Sequence, residues 1–353
     1  MGTGRCGSTL LSNMLAHNRL LLSMSEFMSC LDRAAVFAPG TFDGPAAADA
    51  AQQSNLLNYF IMTRTAHLGD TTGHSLRKEV GSSARTTEQI PGLAIFLKNL
   101  APEDPSLYSD AVAFLMAQPN QSIGAHWRAL FDWLAARFGA TAWIERSGVS
   151  IEYVGTLIDW YPDARILHLH RDGPTNALGI RAFRHFVLYA SFALDPPSEA
   201  ELESALSCEP GSPEDPIMRR LGADAPTVED IGRYWSWQIA RGAYDWMRIP
   251  PRQRMDVRYE DLVSQPEATL ARIAEFFELP TDEGWIARAA AEIDPEGVPD
   301  RLSTLDPETL SSLTAACLPG QVLVGRALDN PFADSMIRAR DVVDRRRSNG
   351  AFN

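Results

Sequence analysis

A glycine-rich loop opens the chain and carries its clearest chemical signal. Residues 1–11 read MGTGRCGSTLL, and Gly2 and Gly7 have the spacing of a nucleotide-triphosphate loop. In such a loop a lysine follows the second glycine and reaches the β- and γ-phosphates, but Ser8 stands at that position here. The lost lysine argues against ordinary ATP or GTP hydrolysis. Backbone N–H groups at a helix start, with the hydroxyls of Ser8 and Thr9, still predict an anion site.

The cation of this loop is Arg5. A guanidinium has a fixed charge and forked donors, which suit a phosphate and a group transferred from it. Lys78 and Lys98 are the only lysines among the 32 basic residues, so an anion site in this chain is expected to be built from arginines. The alternative interpretation is an ordinary glycine-rich turn with Arg5 pointing to solvent.

Composition narrows the classes of partner. The 353 residues are 45% hydrophobic, enough for a sizeable core, and the net charge is −13. An acidic chain is a poor match for nucleic acid or an acidic membrane surface, so we expect small-molecule or protein partners. No segment has the length and apolar character of an export signal or a membrane span, and cytoplasmic localisation is expected. The four cysteines (Cys6, Cys30, Cys208 and Cys317) are far apart, which indicates neither a zinc site nor a disulfide framework.

Strand and helix patterns alternate along the chain. Short apolar or alternating segments bounded by turn residues predict strands at residues 142–146, 165–170 and 254–259. Helical spacing of apolar residues predicts helices at residues 7–17, 129–139, 149–162, 175–190, 227–247 and 266–280. Ser264 and Glu267 have capping-box spacing at the start of the last helix. This order predicts an α/β fold with a mostly parallel sheet covered by helices on both faces.

The pattern also predicts the domain organisation. Residues 1–335 are interpreted as one domain, with insertions at about 40–125 and 194–226 whose mixed composition suits loops or a cap over a substrate site. Residues 336–353 are interpreted as a C-terminal amphipathic helix followed by a tail.

Three segments in this order resemble the sulfotransferases that use 3′-phosphoadenosine 5′-phosphosulfate (PAPS), in a branch with arginine in the first loop. The opening loop resembles their 5′-phosphosulfate loop. YPDARILHLHRDGPTNALGI resembles their strand followed by Arg-Asp-Pro, and VRYEDLVSQPEATLARIAEFFELP resembles their Arg-Tyr-Glu-Asp-Leu segment and the helix after it. The resemblance covers most of residues 1–335. It implies a three-layer, P-loop-like α/β fold and transfer of a sulfuryl group from PAPS to a hydroxyl or amine, with no metal.

The resemblance also implies which residues bind PAPS. The loop residues Gly4, Arg5, Cys6, Gly7, Ser8 and Thr9 would hold the 5′-phosphosulfate, and the Arg5 charge would stabilise the bridging oxygen as the S–O bond breaks. Arg171, at a strand end, would bind the 3′-phosphate; its alternative role is an ion pair with Asp172. Tyr259 would lie near the cofactor or serve as a half-buried strand aromatic.

One 3′-phosphate ligand of the family is missing. The family has a serine eight residues after the strand-end arginine, and this chain has Gly179 there. Arg181 and Arg184 come shortly after it, spaced about one helical turn from each other, and they are interpreted either as substitutes for that serine or as surface arginines.

The resemblance implies a glutamate base. Glu26 has the spacing from Arg5 seen in family branches with a loop arginine, and the apolar residues beside it suggest partial burial. His67, His74 and His126 are the alternative bases, because other branches use histidine. Arg146 stands where the family often has the lysine of Lys-Thr-Pro, and its role is open. His168 and His170 share one strand face, which is interpreted as packing rather than as a metal pair.

The sequence leaves two matters open. The acceptor is a small-molecule, lipid, glycan or peptide hydroxyl, and the alternative functions are a catalytically impaired nucleotide-binding member of the fold or a nucleotide-dependent kinase. In the family a central strand precedes the first loop, whereas Met1 leads into it almost directly here. We therefore expect that the native protein starts upstream of Met1 and that an extended chain is more stable.

Overall fold

Two parallel strand pairs form the centre of the protein. The computed structural model describes residues 1–53, 56–65, 91–279, 284–293 and 300–325. The strands in this part are β1 (Leu21–Ser25), β2 (Thr41–Phe42), β3 (Gln121–Ser122), β4 (Ala142–Arg146), β5 (Ile166–His170) and β6 (Arg254–Arg258). β1 pairs in parallel with β4, β5 pairs in parallel with β6, and β2 and β3 form a short antiparallel pair. The predicted α/β class is confirmed, and β1 is an additional strand that the apolar pattern did not reveal.

Met1 and Gly2 lie between the two parallel pairs. The Met1 amino group donates to the Leu167 carbonyl, and the Leu169 N–H donates to the Met1 carbonyl at 3.0 Å, as in a parallel strand pair. On the other side, the Ile151 N–H donates to the Gly2 carbonyl at 3.4 Å. A cavity of about 460 Å³ lies beside Met1, lined by residues of β1, β4, β5 and neighbouring helices. The first residues thus contact the segments that follow β4 as well as β5.

Helices surround these strands. In chain order they are α1 (Ser8–Ala16), α2 (Phe27–Cys30), α3 (Arg33–Val36), α4 (Gly44–Gln52), α5 (Leu56–Thr65), α6 (Gly92–Leu100), α7 (Leu107–Met116), α8 (Ile123–Arg137), α9 (Val154–Trp160), α10 (Gly173–Arg181), α11 (Arg184–Leu194), α12 (Glu199–Ser207), α13 (Pro216–Leu221), α14 (Val228–Arg248), α15 (Tyr259–Ser264), α16 (Pro266–Phe277), α17 (Trp285–Ala290) and α18 (Pro307–Leu323). Short 3₁₀ turns at Ser150–Tyr153, Pro251–Gln253 and Leu302–Thr304 complete the described elements.

Side-chain caps start several of the longer helices. The Ser122 hydroxyl accepts from the Ala125 N–H at the start of α8, and the Asp172 carboxylate accepts from the Thr175 N–H at the start of α10. Such caps satisfy backbone donors that have no partner inside the helix. The capping box predicted for α16 is wrong, because Ser264 ends α15 and no side chain caps Pro266. Among the helices that the structure describes, a capping box occurs instead at Thr227 and Asp230, at the start of α14.

The helix predicted over residues 175–190 is broken into two. α10 ends at Arg181, and Phe183 takes an extended conformation with φ −123° before α11 starts at Arg184. The apolar spacing continues through the break, so periodicity alone did not indicate it. The break redirects the chain and turns Phe183 towards the opening loop.

The proposed insertions are largely helical where the structure describes them. Helices α4, α6, α7 and α8 pack on the β1–β4 pair around Phe27, whose ring meets Phe96, Trp127 and Phe131 edge to face at 4.8–5.3 Å. Residues 194–226 contain α12 and α13, which pack with α5 and α11 in a smaller core around Phe60. The predicted C-terminal helix and tail at 336–353 lie outside the described residues.

A buried ion pair ties α5 to the second insertion. The Arg64 guanidinium and the Asp215 carboxylate are 2.8 Å apart and almost fully enclosed, with exposed fractions of 1% and 0%. Asp215 also accepts from the Ile217 N–H and caps α13. Arg64 donates further to the Thr63 hydroxyl and the Ala205 carbonyl.

We expect Asp215→Ala to lower the free energy of unfolding by about 3–5 kcal/mol, because it leaves a buried guanidinium without its carboxylate. Urea unfolding followed by circular dichroism measures this change. Asp224→Ala is the control, since it removes an exposed carboxylate 3.2 Å from Arg219 and should change stability little. Equal losses in the two variants would contradict the account.

Candidate functional site

The opening loop forms a cradle at the start of α1. Gly7 precedes the helix with φ +98°, a left-handed conformation that favours glycine, and as the N-cap residue it offers no side-chain acceptor to the N–H groups of the first turn. The Cys6 thiol hydrogen-bonds with the backbone and the hydroxyl of Ser8. Ser8 is half-buried, Thr9 is exposed and Cys6 is buried beneath the loop. Burial raises the pKa of the Cys6 thiol, so Cys6 packs as a neutral side chain.

Aromatic rings press on the loop at two of its glycines. A Cβ added at Gly4 would overlap the Phe186 ring, and a Cβ added at Gly7 would overlap the Tyr259 ring. Glycine is thus required here by close packing, and at Gly7 by conformation as well. The loop residues are held in one arrangement from both sides.

Arg5 is a cation with an aromatic neighbour and no described carboxylate partner. Its guanidinium carbon lies 3.6 Å from the Phe183 ring centroid. Its Nε is buried and makes no hydrogen bond within the described part of the chain. Burial lowers the Arg5 pKa, and the charges of Arg301 and Arg171 lower it further. Three arginines thus converge on this region, which favours an anionic ligand.

Arg171 follows the end of β5 and is held in a similar way. Its guanidinium carbon lies 4.4 Å from the Tyr259 ring centroid. The neighbouring Asp172 is engaged elsewhere, because its carboxylate accepts from the Thr175 N–H and hydroxyl and from Gln321 at 2.7–3.0 Å. No ion pair between Arg171 and Asp172 occurs in the described structure. Tyr259 begins α15 rather than lying in a strand, and it contacts both Gly7 and Arg171.

Glu26 lies at the carboxyl end of β1, with φ +69° and a side chain 18% exposed. One carboxylate oxygen pairs with Arg146, and the other accepts from the Gly148 N–H at 2.8 Å. Arg146 also donates to the Ser25 hydroxyl at 3.0 Å. The open question about Arg146 therefore has a structural answer: it is the ion-pair partner of Glu26.

Glu145 is a second carboxyl group in this cluster. It accepts from the Phe27 N–H at 3.1 Å and from the Ser147 hydroxyl at 2.6 Å. Its side chain borders the cavity beside Met1, which leaves it some accessible surface although most of it is covered by protein. Desolvation, assisted by the charge of Glu26, raises the Glu145 pKa to about 7.

The candidate residues group at the carboxyl ends of the strands. Glu26 follows β1, Arg171 follows β5 and Tyr259 follows β6, while the loop starts α1 at the same edge. This edge is where α/β sheets bind ligands. Arg301 was missed because it lies in an irregular segment far along the chain, and no sequence pattern marks it.

The remaining candidate residues are two arginines and three histidines. Arg181 and Arg184 are exposed at the break between α10 and α11. His126 is fully buried and bonds the Phe42 carbonyl at 2.8 Å, which gives it a structural role in the first insertion. His67 and His74 lie outside the described residues.

His168 and His170 pack beside each other on β5. Their ring centroids are 5.2 Å apart, and His168 Nδ1 lies 3.0 Å from the Asp256 carboxylate. Across the described ranges, no group of three or more His, Cys, Asp or Glu side chains is arranged to hold a metal ion. Within the same ranges, no helix combines the length and apolar character needed to cross a membrane.

Comparison with protein families matches the profile described as "Sulfotransferase family" over residues 1–206 and 218–283. The chain belongs to the sulfotransferase family. The match includes the loop, Glu26, Arg171 and Tyr259, so each of these residues lies within the family's shared region. Arg301 lies beyond it.

Solved sulfotransferase structures are only distantly similar. The sulfotransferase domain from the curacin biosynthetic pathway is 14% identical, with 97% of this chain and 95% of that chain covered and a TM-score of 0.43. The sulfotransferase domain from the Synechococcus PCC 7002 olefin synthase is 17% identical, with 94% of each chain covered and a TM-score of 0.43. Sulfotransferase STF9 from Mycobacterium avium is 15% identical, with 90% and 75% covered and a TM-score of 0.39. A search of curated proteins finds no match.

We expect Gly7→Ala to destabilise the protein through both backbone strain and overlap with Tyr259. Gly40→Ala is the matched control, because Gly40 also has φ +98° but no atom within 4 Å of an added Cβ. The strain common to both costs about 1–2 kcal/mol. A larger loss of unfolding free energy in Gly7→Ala than in Gly40→Ala is therefore the expected result. Equal losses would show that Tyr259 does not restrict the loop.

Glu145 should make stability depend on pH. Its folded pKa lies above the value in the unfolded chain, so the folded state binds more protons between about pH 4.5 and 7. The free energy of unfolding should fall as pH rises through this window and level off above it. We expect Glu145→Gln to remove this contribution, which is at most about 3 kcal/mol. Urea unfolding at several pH values tests this, and an unchanged pH dependence in the variant would contradict it.

Proposed function

We propose that the protein transfers a sulfuryl group from PAPS to a hydroxyl or amine acceptor. The observation that carries this proposal is the pair of arginines, Arg5 and Arg171, which stack on aromatic rings and have no described carboxylate partner. Basic side chains left uncompensated beside a glycine loop favour a ligand with two separate anionic groups. PAPS, the sulfuryl donor that the family generally uses, has a 5′-phosphosulfate and a 3′-phosphate.

The residues present fit this donor. The buried, unpartnered Nε of Arg5 and the uncapped first turn of α1 leave donors available for a 5′-phosphosulfate. The Phe186 and Tyr259 rings pack closely against Gly4 and Gly7 and so hold the loop backbone in place. Arg171 would hold the 3′-phosphate, and Arg181 or Arg184 would assist from the break between α10 and α11. Bound PAPS would supply an activated sulfuryl group, and no metal is required in this proposal.

Positive charge is the main contribution that we assign to the loop. Arg5 is held in place before the reaction, so its charge can stabilise negative charge on the bridging oxygen without reorganisation. By analogy with phosphoryl transfer, a loose in-line reaction depends mainly on positioning and cations.

Glu26 is the proposed base. Each of its carboxylate oxygens has two lone pairs, so the bonds from Arg146 and Gly148 leave room to accept the acceptor's proton. Those bonds also fix the orientation of the carboxylate. The acceptor would be a small-molecule, lipid, glycan or peptide hydroxyl.

We expect Arg5→Ala to lower kcat by about 10²–10³-fold, because it removes charge where the reaction develops it. Glu26→Gln should lower kcat by about 10²–10⁴-fold through loss of the base. Transfer of radiolabelled sulfate from PAPS to a panel of phenols, sterols, glycans and tyrosine peptides measures both effects. Arg252→Ala, at an exposed arginine outside the site, is the control.

Nucleotide binding without transfer is the second candidate function, favoured by Gly179 in place of the family's serine. Calorimetry with adenosine 3′,5′-bisphosphate separates the two candidates. Binding without transfer to any acceptor supports the second candidate. Binding of ATP but not of the bisphosphate would contradict both and favour a kinase.

A further inference from the structure

Arg5 differs from the other largely buried arginines in the type of side chain that its guanidinium contacts. Arg64 pairs with Asp215, Arg220 pairs with Glu201, and Arg146 pairs with Glu26. In the described part of the chain, no such carboxylate accompanies Arg5. Its guanidinium lies over the face of the Phe183 ring instead.

The contact between Arg5 and Phe183 depends on the break between α10 and α11. Phe183 is the residue with extended backbone at that break, and its side chain is half-buried. One turn earlier, a Cβ added at Gly179 would lie 3.4 Å from the Arg5 Cβ. The Arg5 side chain therefore runs along the end of α10, from Gly179 to the Phe183 ring. A continuous helix would not place residue 183 in this extended conformation.

An aromatic ring and a carboxylate hold an arginine with different consequences for binding. A carboxylate neutralises the guanidinium and competes with an incoming anion for its N–H donors. A phenyl face attracts the cation through its quadrupole but carries no net charge and accepts none of the in-plane N–H donors. The ring thus restrains Arg5 while leaving its charge and its donors for a ligand.

Restraint is needed because the surroundings disfavour the cation. Burial and the charges of Arg301 and Arg171 all act against the charged form of Arg5. Arg5 also has φ +64°, a left-handed conformation that is unusual for a residue other than glycine. Without an attractive neighbour, the side chain would gain by turning away from the other two arginines.

We propose that Phe183 is the positioning residue of the anion site: its ring fixes the Arg5 guanidinium without neutralising it. The proposal rests on the proposed function, because the ligand of Arg5 is taken to be the 5′-phosphosulfate of PAPS. It adds a residue that the sequence had assigned to the interior of a continuous helix.

A double-mutant cycle tests the proposal by calorimetric binding of adenosine 3′,5′-bisphosphate to the full chain. We expect Phe183→Leu to weaken binding about tenfold, in the range of one desolvated cation–π contact. Phe183→Tyr keeps the ring and should bind like the wild type. In the Arg5→Ala background, Phe183→Leu should have no further effect, because the group that the ring positions is gone.

A control variant and three results would show that the Phe183 ring only supports the fold. Phe276→Leu is the matched control, since Phe276 is also half-buried but packs against Phe277 instead of a guanidinium. Thermal unfolding of every variant checks folding. Equal weakening by Phe183→Leu with and without Arg5 would overturn the proposal, and so would wild-type affinity in Phe183→Leu or failure of Phe183→Tyr to restore binding.

The test also separates this proposal from the proposed function. If the wild type binds the bisphosphate and Phe183→Leu binds equally well, the role of Phe183 fails while the proposed function stands. If the wild type does not bind the bisphosphate, the proposed function fails, and the same cycle is then measured with inorganic sulfate. Weaker sulfate binding in Phe183→Leu that depends on Arg5 would still support the positioning role. Absence of sulfate binding would overturn it.

Discussion

Uncompensated positive charge in an acidic protein is the constraint on which the site depends. The chain has a net charge of −13, yet Arg5 and Arg171 stack on aromatic faces with no carboxylate partner in the described structure. Like charges brought together away from water repel each other. The fold must hold these cations in place by packing, and an anionic ligand would then relieve the repulsion.

The fold keeps nearby carboxylates away from these cations by giving them other partners. Asp172 caps α10 and accepts from Gln321, Glu260 accepts from the Asp172 N–H, and Glu26 pairs with Arg146. Each bond has a local structural purpose, at a helix start or at a strand end. Together they leave the loop side of the site positive, while the Glu26 carboxylate is held in an ion pair of its own with Arg146. Such a separation suits a reaction that needs cations at the leaving group and a base at the acceptor.

The sequence predicted the parts of this arrangement that local patterns encode. The loop, the strands that lead to Arg171 and Tyr259, and the long helix α14 all follow from glycine spacing or apolar periodicity. Glu26 was found through family resemblance rather than through its own neighbours. The strand β1 that precedes it was missed, because its short run of apolar and serine residues has no distinct period.

The partners of the site residues could not be predicted, because they depend on tertiary contacts. Nothing in the local sequence indicates that Arg146 meets Glu26, that Arg301 approaches Arg5 or that Phe183 leaves the helical path. The false capping box at Ser264 has the same cause, since a neighbouring short helix already contains that serine. Spacing identified the groups capable of chemistry, and packing determined which of them meet.

The most direct test of the account is a crystal structure of the protein with adenosine 3′,5′-bisphosphate. The account predicts the 5′-phosphate on the backbone N–H groups of Gly4 to Thr9 and within hydrogen-bond distance of Arg5. It also predicts the 3′-phosphate at Arg171 and the Arg5 guanidinium still stacked on Phe183. A nucleotide bound elsewhere, or a 5′-phosphate that leaves Arg5 without contact, would contradict the central claim that these unpaired arginines form the donor site.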